Sequence, residues 1–182
     1  MGEAIQIGAR YVLALSIKDL ANYKSLDKIS VCEIVSNCGA GRQTFYNHFN
    51  NKYDLINWIY ESSTRSIRNK FFCNEKWDKV IGMLLLHIKE NQPFYVNAFN
   101  NEEKDIFINF VIKNTSDAYK KLIKRRVGEK TLSDELAFAI DFYSYSAVYS
   151  AKRWSEKKMI EPPECLANKI YKNMPPELRK WL

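Results

Sequence analysis

The sequence predicts an all-α protein, and three observations carry that expectation. Apolar residues recur at three- and four-residue spacing along nearly the whole chain, the period of helices laid against a core. The composition is rich in aromatics and poor in breakers, with 6 Gly and 5 Pro among 182 residues. Between Ser30 and Leu55, two short helical patterns flank a glycine-bearing break and a third helix begins at once, the layout of a helix-turn-helix. A chain of 182 residues suits one or two small domains with a real hydrophobic core.

Residues 4–22 read as the first helix, with Ala9, Val12, Leu13, Ser16, Ile17 and Leu20 along one face. That face is expected to cover the back of the helix-turn-helix. Asn22 to Asp27 form a connection, and Lys28, which precedes the next cap, reaches phosphate or is simply solvated. Ser30 is a good N-cap, and Glu33 stands three residues on, the capping-box spacing. Val31, Ile34, Val35 and Cys38 give the second helix its apolar face. Gly39 falls where a helix end wants positive φ, and Ala40 and Gly41 complete the turn.

The next helix begins at Arg42 with Gly41 as its N-cap, an acceptable though weaker choice than serine. Phe45 and Phe49 are four apart and mark its core face. Arg42, Gln43, Thr44, Tyr46, Asn47 and His48 lie mostly off that face. Their side chains are of the types that read base edges or hold phosphates, which makes double-stranded DNA the expected partner. Asn51 caps a further helix, Asp54 complements its positive end, and Lys52 in its first turn is placed for a phosphate.

The run EIVSNCGAGRQTFYNHFNNKYDL resembles the N-terminal helix-turn-helix of the tetracycline-repressor (TetR) family of bacterial regulators. Its most specific part is TFYxHFxxKxxL, matched by Thr44, Phe45, Tyr46, His48, Phe49, Lys52 and Leu55. The wider stretch from about Ile17 to Tyr60 resembles the subgroup containing the activator of dihydroxyacetone kinase genes. The resemblance covers the first third of the chain. It departs from the family at Gly41, where Ser or Thr is usual. It implies a DNA-binding domain over 1–52, a helical regulatory and dimerisation domain over 53–182, and a connecting helix from Lys52 that carries an effector signal.

That connecting helix runs without a breaker to about Cys73, with Leu55, Ile56, Ile59, Tyr60, Ile67 and Phe71 as its apolar contacts. Lys76 to Lys89 is amphipathic through Trp77, Val80, Ile81, Leu84, Leu85 and Ile88, with His87 at the core edge. Pro93 ends this helix or restarts the next, and Phe94, Tyr95, Val96 and Phe99 follow as an aromatic cluster. Glu103 to about Arg126 is a longer helix with Ile106, Phe107, Phe110, Val111, Tyr119, Leu122 and Ile123 inward. Its basic end, Lys120, Lys121, Lys124, Arg125 and Arg126, complements the helix dipole or meets an acidic partner or DNA.

Leu132 to about Lys158 is apolar or aromatic nearly all round, the pattern of a helix covered on more than one side. Packed only on its own subunit, it would leave an aromatic patch in water, and such patches mark interfaces. Phe138, Phe142, Tyr145, Tyr149 and Trp154, with Ile170 from the last helix, are the expected homodimer interface. Pro162 and Pro163 open that last helix, which carries Leu166, Ile170 and Tyr171 on one side. Leu178, Trp181 and Leu182 form a terminal clamp. The final two helices are expected to pair with their copies in a four-helix bundle. One short reading helix touches few base pairs, whereas a two-fold pair reads a palindrome.

The chain holds 28 basic and 21 acidic residues, a balance of +7 that suits an anionic partner. Residues 1–60 hold 6 basic and 5 acidic side chains, only +1, so DNA binding must rest on placed residues. Cys32, Cys38, Cys73 and Cys165 make no CxxC pair, so no metal site is expected and the thiols read as small apolar groups in a reducing compartment. With two histidines and no nucleophile, carboxylate pair or phosphate loop, no enzyme and no cofactor are expected. No apolar run approaches 18 residues, so a cytoplasmic location without membrane contact is expected. The effector is either a small molecule held among Trp58, Phe94, Phe99, Phe107, Phe110 and Tyr143, or a protein co-activator that needs no cavity. Those six aromatics also serve as plain core.

Overall fold

The computed structural model describes residues 2–73, 76–101, 105–128 and 131–181, with side chains for all of these except 2–7, Phe71 and Val127. Among the described residues the chain forms ten helices and no strand. They are α1 (Gly2–Leu20), α2 (Val31–Asn37), α3 (Arg42–Tyr46), α4 (Lys52–Asn69), α5 (Trp77–Glu90), α6 (Gln92–Phe99), α7 (Ile106–Val127), α8 (Asp134–Glu156), α9 (Pro163–Lys172) and α10 (Pro176–Arg179). Short 3-10 turns cover Leu26–Lys28 and Lys70–Cys73. The chain divides into two compact units: residues 1–63 with 93–107, and residues 64–92 with 108–182.

The first unit is built around α1, α2 and the start of α4. Leu13, Ala14, Ile17 and Ala21 of the α1 segment are buried, with Ile34, Val35, Phe45, Leu55, Ile56 and Ile59. Val12, expected in this face, is 44% exposed: the buried set runs 13, 14, 17, 21, and helical spacing turns residue 12 outward. Ser16 is buried, and its hydroxyl donates to the Ile34 carbonyl at 2.7 Å. Asn37 of α2 donates to the Ser16 hydroxyl at 3.2 Å and to the Asp19 carboxylate at 3.2 Å. Polar bonds thus fix α1 on α2 where apolar contact alone would let them slide.

The aromatic cluster after Pro93 forms a helix of its own, α6, and belongs to this first unit. Phe94, Tyr95 and Phe99 are buried there, and Phe107 meets Phe99 edge to face at 5.2 Å and Tyr60 at 5.8 Å. The Tyr95 hydroxyl lies 3.3 Å from that of Ser63 on α4. Asn97 donates to the Ala21 carbonyl at the end of α1, at 3.2 Å. The Lys18 ammonium sits 5.9 Å from the Phe94 ring centre.

The second unit holds α5, α8, α9, α10 and most of α7. Helix α5 packs against α9, and a Cβ at Gly82 would lie 3.8 Å from that of Ala167. Trp77, Tyr119 and Tyr143 form a ring stack through its middle, with centres 4.7 and 5.9 Å apart. The Tyr143 hydroxyl donates to the Ile170 carbonyl at 2.9 Å, tying α8 to α9. Lys120 of α7 pairs with Asp141 of α8 at 2.7 Å. Leu178 of α10 is buried. The expected helix start at Glu103 and the last residue of the clamp, Leu182, lie outside the described residues.

Candidate nucleic-acid interface

Local chemistry sets the helix-turn-helix. Ser30 accepts from the Glu33 N–H at 3.2 Å, and Glu33 accepts in return from the Ser30 N–H and hydroxyl, each at 2.8 Å. The capping box therefore closes in both directions. The ammonium of Lys24 also holds the Glu33 carboxylate, and these bonds, Lys24 first, bring its pKa down to about 2. At the other end of α2, Gly39 has φ +67°. Its N–H bonds the Ser36 carbonyl and the Ala40 N–H bonds that of Val35, a Schellman ending. The turn leads to Gly41, whose φ −89° and ψ 154° are those of an N-cap. A Cβ there would lie 3.9 Å from Thr44 Oγ1, so the serine or threonine usual in the family would fit.

Helix α3 is short, and Phe45 and Phe49 anchor it, both buried and 5.8 Å apart. That leaves the polar residues outward. Arg42, Gln43, Tyr46 and Asn47 are exposed, and Thr44 and His48 are half-buried. Gln43 donates to Asn47 Oδ1 at 3.0 Å, so two amides are held side by side. The guanidinium of Arg42 rests on the sulfur of Cys32, which leans it back over α2. The ring of Tyr46 stands edge-on to Phe45 at 5.4 Å, and that of His48 stands against Phe49 at 6.4 Å. The result is an exposed ridge of donors and acceptors on a rigid base.

Lys52 has a different setting from the one its place in the motif suggests. Its ammonium donates to the carbonyls of Leu26, Asp27 and Ile29, at 2.9, 2.7 and 3.1 Å. A lysine has three N–H donors, and all three are engaged inside the protein. Asn51 caps α4 as expected, accepting from the N–H groups of Tyr53 and Asp54 at 2.8 and 3.0 Å. Asp54 accepts in turn from the Asn50 N–H and side-chain amide at 3.1 and 2.8 Å.

The remaining sequence-predicted residues separate. Trp58, Phe94, Phe99 and Phe107 belong to the first unit, and Phe110 and Tyr143 to the second. Trp58 is half-buried between Tyr11 and Phe49, at 5.4 and 5.9 Å. Tyr143 lines a cleft of about 400 Å³ between α8 and α9, with Phe142, Ser146, Ser150, Leu166 and Ile170 among the walls. On α8, Phe138, Phe142 and Tyr145 are 71%, 62% and 51% exposed, with Tyr149 half-buried on the same face. Trp154 and Ile170 differ from the expectation: they are 4% and 8% exposed and lie inside the subunit. The Trp154 indole N–H donates to the Glu161 carbonyl at 2.8 Å, which turns the ring inward. The bonds of Ser16 and Asn97 escaped the sequence reading; a serine within an apolar stripe was the one available signal.

Comparison with known proteins agrees with this geometry. A family model described as "Transcriptional regulator C-terminal region", of the TetR class, matches residues 75–175. The dhaKLM operon transcriptional activator DhaS of Lactococcus lactis subsp. lactis is 34% identical over 88 residues, 48% of this chain and 47% of that protein. The match thus spans about half the length of that relative. Among solved structures, a dihydroxyacetone kinase operon activator DhaS superimposes with a TM-score of 0.68 at 23% identity, over 96% of this chain and 98% of that one. A TetR transcriptional regulator from Streptococcus agalactiae 2603V gives 0.64 at 16% identity, over 94% and 96%. These two likenesses establish the fold. The family match covers more than half of the chain, and its members regulate transcription rather than catalyse reactions. The chain is a member of the TetR family of transcriptional regulators.

Proposed function

We propose that the chain binds a palindromic operator as a homodimer through α3, and that its helical body, residues 53–182, controls the binding. The supporting observation is the exposed ridge of Arg42, Gln43, Tyr46 and Asn47 on a base locked by Phe45 and Phe49. Arg42 is assigned to guanine and the Gln43–Asn47 amide pair to adenine. Thr44, Tyr46 and His48 are assigned to the sugar–phosphate backbone. Residues 1–52 form the reading domain. Such a regulator works beside the chromosome, in the cytoplasm.

The exposed aromatics of α8 support dimerisation, because a contiguous exposed apolar patch marks an interaction surface. Two copies of α3 then reach half-sites roughly 34–36 Å apart, one turn of DNA. The DhaS relative is named as an operon activator, and we propose the same direction of output here. A protein co-activator as effector is favoured by one observation. Phe94, Phe99 and Phe107 are buried against one another and their neighbours, which leaves their rings as core.

Selection of bound duplexes from a random pool tests the reading. The expected product is an inverted repeat with half-site centres one turn apart, bound with a salt dependence set by the phosphate contacts. No enrichment, or enrichment of a single unrepeated site, overturns it. Thermal melts against a metabolite panel test the effector: a shift with one compound identifies a small-molecule site.

A further inference from the structure

Arg42, Gln43, Tyr46 and Asn47 are exposed, so something other than burial must hold each in place. Gln43 and Asn47 hold one another through their amides at 3.0 Å. Tyr46 stands edge-on to Phe45. The support of Arg42 comes from another helix: its Nη2 donates to the sulfur of Cys32, ten residues earlier on α2. Left free, so long a side chain would sample many rotamers, and ordering it on DNA would cost about three- to tenfold in affinity. The far side of the contact is fixed. Cys32 is half-buried and lies between Ser30 and Glu33, inside the closed capping box. Two residues on, the Ile34 carbonyl accepts from Ser16 and ties α2 to α1. The sulfur is therefore a rigid point beside the reading helix.

We propose that Cys32 is a positioning residue for DNA reading: its sulfur holds the Arg42 guanidinium in place, so that the arginine meets its base pair already ordered. The inference rests on the assignment of Arg42 to a base edge and adds the residue that sets its aim. Cys32 acts through Arg42 and not on the DNA itself. Sulfur suits the task. A guanidinium has five N–H donors, and a thiol is a weak acceptor. One donor given to the sulfur leaves enough for a bidentate pair with guanine, which takes two. A carboxylate in the same place would instead form a strong forked pair with the guanidinium and compete with the base for it. The contact thus limits where the side chain can go without consuming what it reads with.

The test is a double-mutant cycle in the full chain, with Cys32→Ala, Arg42→Ala and the two combined. The probes are the duplex enriched from a random pool and its single-base-pair variants, with binding followed by fluorescence anisotropy. Cys32→Ala should bind the enriched duplex about three- to tenfold more weakly and lose discrimination at the same base pair as Arg42→Ala. In the combined variant the Cys32 change should cost nothing further, because the side chain it orders is gone. Cys32→Ser keeps an acceptor in place and should retain the discrimination of the parent. Thermal melts of all variants should match the parent, and a merely loosened fold would weaken every duplex alike. Four results each overturn the positioning role and leave the reading of Arg42 standing: full discrimination in Cys32→Ala, an equal loss on every duplex, losses that add in the combined variant, or a Cys32→Ser that behaves as Cys32→Ala. An Arg42→Ala that discriminates like the parent at every base pair overturns the assignment of Arg42 itself.

Discussion

Lys52 shows how much the surroundings of one side chain decide. The TetR motif places it at the head of α4, where a lysine is set for a phosphate. Here its ammonium bridges three carbonyls of the 26–29 segment, just before the Ser30 cap. Lys52→Met leaves those oxygens without a charged donor, and each such bond contributes about 1.5–3 kcal/mol at most. A loss of about 2 kcal/mol in denaturant stability is the expected result, with the salt slope of DNA binding unchanged. A slope reduced by about one unit would show instead that the ammonium leaves for a phosphate on binding. For the ridge itself, Arg42→Ala or Asn47→Ala should cost about 1–3 kcal/mol of operator affinity and relax discrimination at one base position. Equal loss on all duplexes would move that residue to the backbone-contacting set.

At the scale of the element, α2 depends on its two ends. Ser30→Ala removes the cap and should cost about 1 kcal/mol. Glu33 makes the same cap sensitive to acid. Its pKa in the folded chain is about 2 against an ordinary 4.5. A depressed carboxylate contributes stability that is fully present above pH 4.5 and is lost as pH falls toward 2. Acid titration by circular dichroism should show that loss in the parent and a flatter profile in Glu33→Gln. These ends were legible in the sequence because a capping box and a glycine C-cap act over three to five residues. Lys52 was not, because its acceptors lie 23 to 26 positions away. Asn97, bonded to a carbonyl 76 positions back, was equally hidden. Trp154 was misjudged for another reason: on a helix apolar all round, periodicity does not say which side its own subunit covers.

Over the whole molecule, the dimer proposed on the exposed face of α8 would make folding and association one problem. If that face is buried between copies, the melting temperature should rise with protein concentration, because only the folded chain dimerises. Scanning calorimetry over a hundredfold concentration range checks this, and a constant midpoint counts against it. The membership of the first compact unit carries a practical lesson about truncation. Residues 93–107 help to build the interior of the first unit: Tyr60 packs on Phe107, Tyr95 reaches Ser63, and Asn97 holds the end of α1. A fragment cut at Tyr60, where the recognisable motif closes, would keep every side chain assigned to DNA and yet uncover Tyr60 and the end of α1. Weak binding by such a fragment would report a collapsed support, and so would say nothing about the operator.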